Sequence, residues 1–273
     1  MGDPSGADST AGSQTMRAFL EDIEEPVAGD DPIARARAAQ RTPLPKRFYT
    51  DVSVGEAEGG FTILLDGRPV RTPARGLLLA PTRPLAEAMA AEWAAQETEI
   101  NPFIMPLTRL VNVALDRVGP EAEAVREEVV GYAGSDMLFY RAESPQTLVN
   151  RQAEQWNPVL DWLSGSHDAR FFLAEGIRHV AQPDTSLERV RALVPQAPLK
   201  LAAVHSITTL TGSALLALAV AEGALDVDAA WAAAHVDEDF NREQWGEDEI
   251  ATARRAARRT EMDAAARLLA LIT

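Results

Sequence analysis

Phe61-Thr62-Ile63-Leu64-Leu65-Asp66-Gly67-Arg68-Pro69-Val70-Arg71 sets an apolar run containing two β-branched residues against a second short run, across an Asp-Gly dipeptide. An Asp-Gly pair between such runs is a hairpin signal, because a two-residue turn that matches strand twist needs positive φ at both positions. Asp66 and Gly67 are therefore structural candidates, and Arg68 to Arg71 continues as a strand that Pro73 limits to an edge or an end. Upstream, Phe48 to Val54 has strand character, and Gly59-Gly60 supplies the turn before Phe61. Downstream, Leu77 to Leu79 adds a fourth strand. The pattern predicts a small antiparallel meander.

Helical signals take over after the sheet. Thr82 is placed to cap a helix with Pro84 in its first turn, and Leu85, Met89 and Trp93 fall four apart on one face, which predicts that Trp93 is core. A second helix is predicted from Thr108, with Leu110, Val113, Ala114 and Val118 inward, and a third from Pro120 carrying Val125, Val129 and Tyr132. Asp136 to Tyr140 reads as a short strand returning to the sheet, or as a helical turn. Beyond Ser144-Pro145 the chain reads as nearly all helix: Leu148, Gln152, Trp156, Leu160 and Leu163 line one face of a segment interrupted or bent near Pro158. The run from Leu199 to Glu222 is apolar almost all round. Lys200, His205 and its clustered hydroxyls argue for a buried central helix and against membrane insertion, since such groups are costly in lipid. The expected fold class is α+β. It consists of a tail over residues 1–44, a region over 45–143 that combines the small antiparallel sheet with packed helices, and a nearly all-helical region over 144–273.

Composition narrows the functional classes. A formal net charge of -15 argues against nucleic acid as partner, because a phosphate backbone calls for excess lysine and arginine. With no cysteine, the chain has no disulfide, thiolate zinc site or cysteine nucleophile, and fits a reducing cytoplasm. The tail is rich in Gly, Ser, Asp, Pro and Ala and reads as mobile. Its acids, Glu21, Asp22, Glu24, Glu25, Asp30 and Asp31, count against an organellar transit peptide.

One stretch stands out for charge. Asp237-Glu238-Asp239-Phe240-Asn241-Arg242-Glu243-Gln244-Trp245-Gly246-Glu247-Asp248-Glu249 sets one indole among seven carboxylates and a single arginine. Apolar spacing through Val227, Ala230, Trp231, Ala234 and Phe240 predicts a helix capped by Asp226. Gly246 then breaks the chain, and a new helix begins near Glu247. The stretch has two readings. One is a capped helix with solvated charges, paired with Arg254, Arg255, Arg258 and Arg259. The other is an acidic docking surface anchored by Trp245. No phosphate loop, paired-histidine zinc helix or serine elbow is present in the sequence. His235 with Glu238 has i, i+3 spacing, but a metal site would need further carboxylates from other helices. No metal or cofactor is expected. His205 reads as a core residue, and Ser213 as a small residue permitting close helix packing.

Five strings occur in order: Lys46-Arg47-Phe48-Tyr49, Leu65 to Pro73, Glu92-Trp93-Ala94-Ala95-Gln96, Met105 to Leu110, and Trp245-Gly246-Glu247-Asp248-Glu249. Together they resemble the ATP12 family, the assembly chaperones of the F1 sector of ATP synthase, from about Lys46 to the C-terminus. The resemblance implies an N-terminal α/β domain over 45–143 and a C-terminal all-α orthogonal bundle over 144–273, and it implies binding, not turnover: the free F1 α subunit is held until the β subunit takes its place. It implies a functional role for Glu249 and a folding role for Trp93. The tail departs from a mitochondrial presequence, so a bacterial cytoplasmic member, monomeric, is the expectation. The partner-binding candidates are Asp237, Glu238, Trp245, Glu247, Asp248 and Glu249. Two other classes compete: a metal-dependent carboxylate enzyme using Asp237, Glu238 or Glu247, and a general acidic scaffold for basic proteins.

Overall fold

The Asp66-Gly67 hairpin forms as its sequence requires, with φ of 47° and 75° at the two positions. The Asp66 carboxylate fastens it further, since Oδ1 accepts from the backbone N–H of Thr50 (3.1 Å) and of Asp51 (2.8 Å) and from the Thr50 hydroxyl (3.1 Å). Those donors hold its carboxyl below the ordinary range, the Asp51 N–H first among them. The computed structural model describes residues 44–273 other than 177 and 247. The tail expectation over residues 1–44 therefore falls outside the described residues except at Leu44, and the candidate Glu247 lies outside them too.

Strand β1 (Val52–Ala57) pairs antiparallel with β2 (Gly60–Leu65), with Val54 opposite Ile63. Strand β3 (Arg68–Pro69) pairs with the end of β2, and β4 (Leu79–Ala80) with its beginning. The first strand starts later than Phe48 because Pro45 to Arg47 pairs elsewhere: Arg47 N–H donates to Thr98 O and Ile100 N–H to Pro45 O. Helix α1 (Arg83–Ala94) begins at Thr82, whose Oγ1 accepts from Leu85 N–H, and buries Leu85 and Met89 against the sheet.

Helix α2 (Pro106–Val113) starts two residues before Thr108, because Pro106 fits the first turn and the Glu92 carboxylate receives its first N–H groups. Its buried face is Leu107, Thr108, Arg109 and Val111, so Leu110 and Val113 are only half-buried. It runs into a π-helical turn at Ala114–Val118, followed by α3 (Ala122–Gly134). Asp136 caps a 3-10 turn at Met137–Phe139 leading into β5 (Tyr140–Arg141). That strand does not rejoin the first sheet. It pairs in parallel with β6 (Ala174–Glu175), so the helical half carries one short strand.

Helix α4 (Gln146–His167) runs unbroken through Pro158. After α5 (Asp184–Leu193), the apolar run expected as one helix is two, α6 (Pro198–Thr211) and α7 (Ala214–Ala221). Ser213 is the N-cap of α7, its Oγ accepting from Leu216 N–H at 3.0 Å, so its role is capping. Fully buried Asp136 reaches the same terminus, accepting from Leu215 N–H at 3.0 Å. Burial pushes its carboxyl up to about 6 against those hydrogen bonds. Helix α6 is the hub, buried from Leu201 to His205 and packed on α2, the π-helical turn, α3 and α7. Buried His205 places Nε2 3.2 Å from Glu128 Oε2. The segment capped by Asp226 divides at His235 into α8 (Val227–Ala234) and α9 (Val236–Trp245), and α10 (Glu249–Leu271) closes the chain along α6. Buried apolar residues form one cluster from Tyr49 to Leu269. Among the described residues no helix is long and apolar enough to cross a membrane.

Candidate functional site

Two strings singled out from the sequence occupy opposite environments. In the first, Glu92, Trp93 and Gln96 tie the end of α1 to the chain on both sides. Glu92 accepts from Leu107 N–H (2.8 Å) and Thr108 N–H (2.7 Å), two of the orphan donors that open α2. Burial pushes its carboxyl up, while the Thr108 and Leu107 hydrogen bonds and the Arg267 charge pull it back. Gln96 is 1% exposed; its Oε1 accepts from Asn101 N–H and its backbone carbonyl from Arg47. The Trp93 ring packs edge-on to Tyr49, whose hydroxyl donates to Trp93 O at 2.8 Å. These groups face inward.

The acidic stretch forms an arm: α9, a turn at Gly246, and the first turns of α10. Gly246 has φ 92° and ψ 177°, outside the left-handed helical region expected of a helix stop and open in practice only to glycine. Asp248 caps α10, its Oδ1 accepting from Ile250 N–H at 2.8 Å, and Glu249 lies in the first turn, where a carboxylate complements the helix dipole. Helix α10 is exposed on nearly every side up to Thr260, and its buried residues begin at Met262.

The six carboxylates of the stretch that lie among the described residues separate into two sets. Asp239 takes both guanidinium nitrogens of Arg255 and lies 3.2 Å from Arg242; burial would raise its carboxyl, but the hydrogen bond and charge of Arg255 hold it below the ordinary range. Glu243 makes a two-pronged pair with Arg151 at 2.8 and 2.6 Å, which lowers it likewise. Asp237, although exposed, accepts from Gln152 Nε2 at 2.7 Å. Those three fasten the arm to α4 and α10. Glu238, Asp248 and Glu249 face solvent; Glu238 has only His235 nearby, at 3.8 Å, and Glu249 has no ion-pair partner among the described residues. Trp245, at the tip, is 87% exposed, with Ile250 across the turn at 53%.

His235 sits behind this surface. It is buried against the Trp231 ring at 3.9 Å between centroids, with Nδ1 2.7 Å from Trp231 O, and burial lowers its pKa. The guanidinium groups of Arg255 and Arg259 cover that same indole at 5.8 and 5.7 Å. Among the described residues no three His, Asp or Glu side chains gather in a way that could hold a metal ion. Sequence reasoning did not single out Arg151 and Ile250. Arg151 carries no local signal, because its partner is 92 residues away. Ile250 does carry one: an isolated large apolar residue next to an acidic turn.

Most of the chain is similar to known proteins. The family profile described as ATP12 chaperone protein matches residues 46–164. Protein atp12, mitochondrial, of Schizosaccharomyces pombe is 24% identical over 223 residues, covering 75% of this chain and 76% of that one. The crystal structure of Atu1473 from Agrobacterium tumefaciens, a candidate chaperone, superposes with a TM-score of 0.83 at 48% identity, over 96% of this chain and 98% of its own. Atp12 from Paracoccus denitrificans superposes with a TM-score of 0.79 at 40% identity, over 84% of this chain and 99% of its own. With that identity spanning nearly the whole Paracoccus fold, and the profile covering the sheet, its helices and most of α4, the chain belongs to the ATP12 chaperone family.

Proposed function

We propose that the chain is an assembly chaperone of ATP synthase, working in the bacterial cytoplasm as a monomer, that binds the free F1 α subunit through the α9–α10 arm and performs no bond-making. One observation carries the reading: a tryptophan left 87% exposed at the tip of an arm that arginine and glutamine pairs otherwise hold firmly. Leaving such a ring in water forgoes hydrophobic stabilisation, and a rigid aromatic beside a charged rim is the composition of an interface anchor. Glu238, Asp248 and Glu249 supply the rim, with Glu247 in sequence between them. Complementary charge there speeds encounter with a basic surface and sets register more than it sets affinity. Release needs no nucleotide, because the β subunit, by covering an overlapping face, displaces the chaperone by mass action.

The test is the light scattering of isolated F1 α subunit with and without the full chain, at two salt concentrations. The chaperone should suppress aggregation, and less so at high salt. Glu249→Lys should abolish most of that protection while circular dichroism and the urea midpoint stay unchanged. Undiminished protection by the variant would remove Glu249 from the site, and no protection by the unsubstituted chain would refute the α subunit as client.

A further inference from the structure

Residues Arg170 to Leu173 lead into the short strand β6 (Ala174–Glu175), and one side of this stretch is already occupied. Arg170 N–H donates to Ser186 Oγ at 3.0 Å, and that hydroxyl donates back to Arg170 O at 2.6 Å. Two residues on, Phe172 N–H donates to Gln182 Oε1 at 2.8 Å, and Gln182 Nε2 donates to Phe172 O at 3.0 Å. Both clamps are buried side chains standing where a neighbouring strand's backbone would stand. Farther along, Ala174 pairs with Tyr140 of β5, and Gly176 N–H donates to Arg141 O. Successive residues of an extended chain turn their backbone groups to opposite sides, so the even-numbered ones face the body. Phe171 and Leu173 must then direct N–H and C=O outward, and among the described residues those groups have no partner.

The side chains fit the same picture. Phe171 is anchored inward by stacking on Phe139 at 4.9 Å, whereas Phe172 is 59% and Leu173 49% exposed. An extended stretch held along one side, open along the other and apolar at its centre is a template for a further strand, and natural proteins ordinarily cover or charge such edges. It is also continuous with the arm through α4. Gln152 bridges Ala142 N–H, beside β5, to Asp237 of the arm, and Trp156 donates to Ala233 O while Arg141 covers its ring.

We infer that Arg170 to Glu175 is a second docking site on the same client, pairing by backbone hydrogen bonds with an extended, apolar segment of the unassembled α subunit. The inference rests on the proposed function for the identity of that client. Charge complementarity limits the segment: the strand carries Arg170 at one end and Glu175 at the other, so its centre accepts no charge and its ends favour opposite signs. A chaperone with this edge would shield a strand that awaits its neighbour in the assembled enzyme, while the arm supplies encounter and register.

Leu173→Pro tests this directly. Proline removes a donor that has no partner within the described fold and tolerates extended backbone, so the urea midpoint should hold. Capture of isolated α subunit should weaken roughly tenfold, as loss of a hydrogen bond and its apolar neighbour implies. In the unsubstituted chain, amide exchange at Phe171 and Leu173 should slow on complex formation, with Arg170 and Phe172 protected already. If Glu249→Lys abolishes capture but Leu173→Pro leaves it intact and neither amide slows, the edge is not a docking site and the arm reading stands. Should the variant fail to fold, amide exchange alone decides. Absence of any capture by the unsubstituted chain overturns both.

Discussion

Trp93 and Trp245 each sit next to glutamates in a short string, and the protein uses the two strings in opposite ways. Around Trp93 the acceptor oxygens of Glu92 and the buried amide of Gln96 are committed to backbone N–H groups of neighbouring segments. Around Trp245 the ring and Glu249 are committed to nothing within the described chain. Residue type is therefore a poor guide to role. What separates the two strings is burial: the Glu92 and Gln96 oxygens lie where water is scarce and take backbone N–H groups, whereas Glu249 stands in water, where an unpaired group costs little.

Substitutions on the two sides should separate cleanly. Trp93→Ala is expected to lower unfolding free energy by about 3 kcal/mol, the scale of truncating a packed indole, read from urea denaturation. A loss below about 1 kcal/mol would mean that the ring is not part of the framework. Trp245→Ala should leave the urea midpoint in place and weaken α-subunit capture about thirtyfold, the equivalent of about 2 kcal/mol at an interface anchor. Were stability to fall instead, the contrast between the two rings would collapse. Glu92→Gln, by turning an amide donor toward backbone donors, should cost about 1.5 kcal/mol of stability with capture per folded molecule unchanged.

Two aspartates sharpen the comparison through pH. Asp239 has a folded-state pKa below its unfolded value of about 4. Its contribution is therefore present above pH 4 and lost as pH falls through the folded value. Asp136 has the opposite sign: with a folded-state pKa raised to about 6, its contribution favours folding below about pH 4 and is lost as pH rises through 6. Urea midpoints from pH 4 to 7 should show the slope between 4 and 6 shift upward in Asp136→Asn relative to the parent. An unchanged slope would place the proton elsewhere. The smallest effect is salt: raising ionic strength from 50 to 300 mM should weaken capture by roughly threefold, as expected for rim charges screened over a few ångströms.

Local chemistry made much of this legible in advance. The Asp66-Gly67 turn, the Thr82 and Asp226 caps and the break at Gly246 each depend on a few adjacent residues, and each appears where its residues stand. Elements whose limits depend on distant partners were misplaced. Strand β1 starts late because Pro45 to Arg47 pairs with residues 98–100, and α2 starts early because Glu92 caps it from another helix. The long apolar run divided at Gly212 because Ser213 and Asp136 together provide a second helix start, and Asp136 comes from 79 residues away.

Sequence by itself determined the α+β character, the helix stops and the concentration of acid near the C-terminus, since periodicity, turn chemistry and charge are local properties. Tertiary structure alone decided which of those acids are held and which are open. Arg151, Gln152 and Arg255 reach Glu243, Asp237 and Asp239 from other helices, and only folding brings a guanidinium or an amide within hydrogen-bond distance of one carboxylate while leaving its neighbour to water.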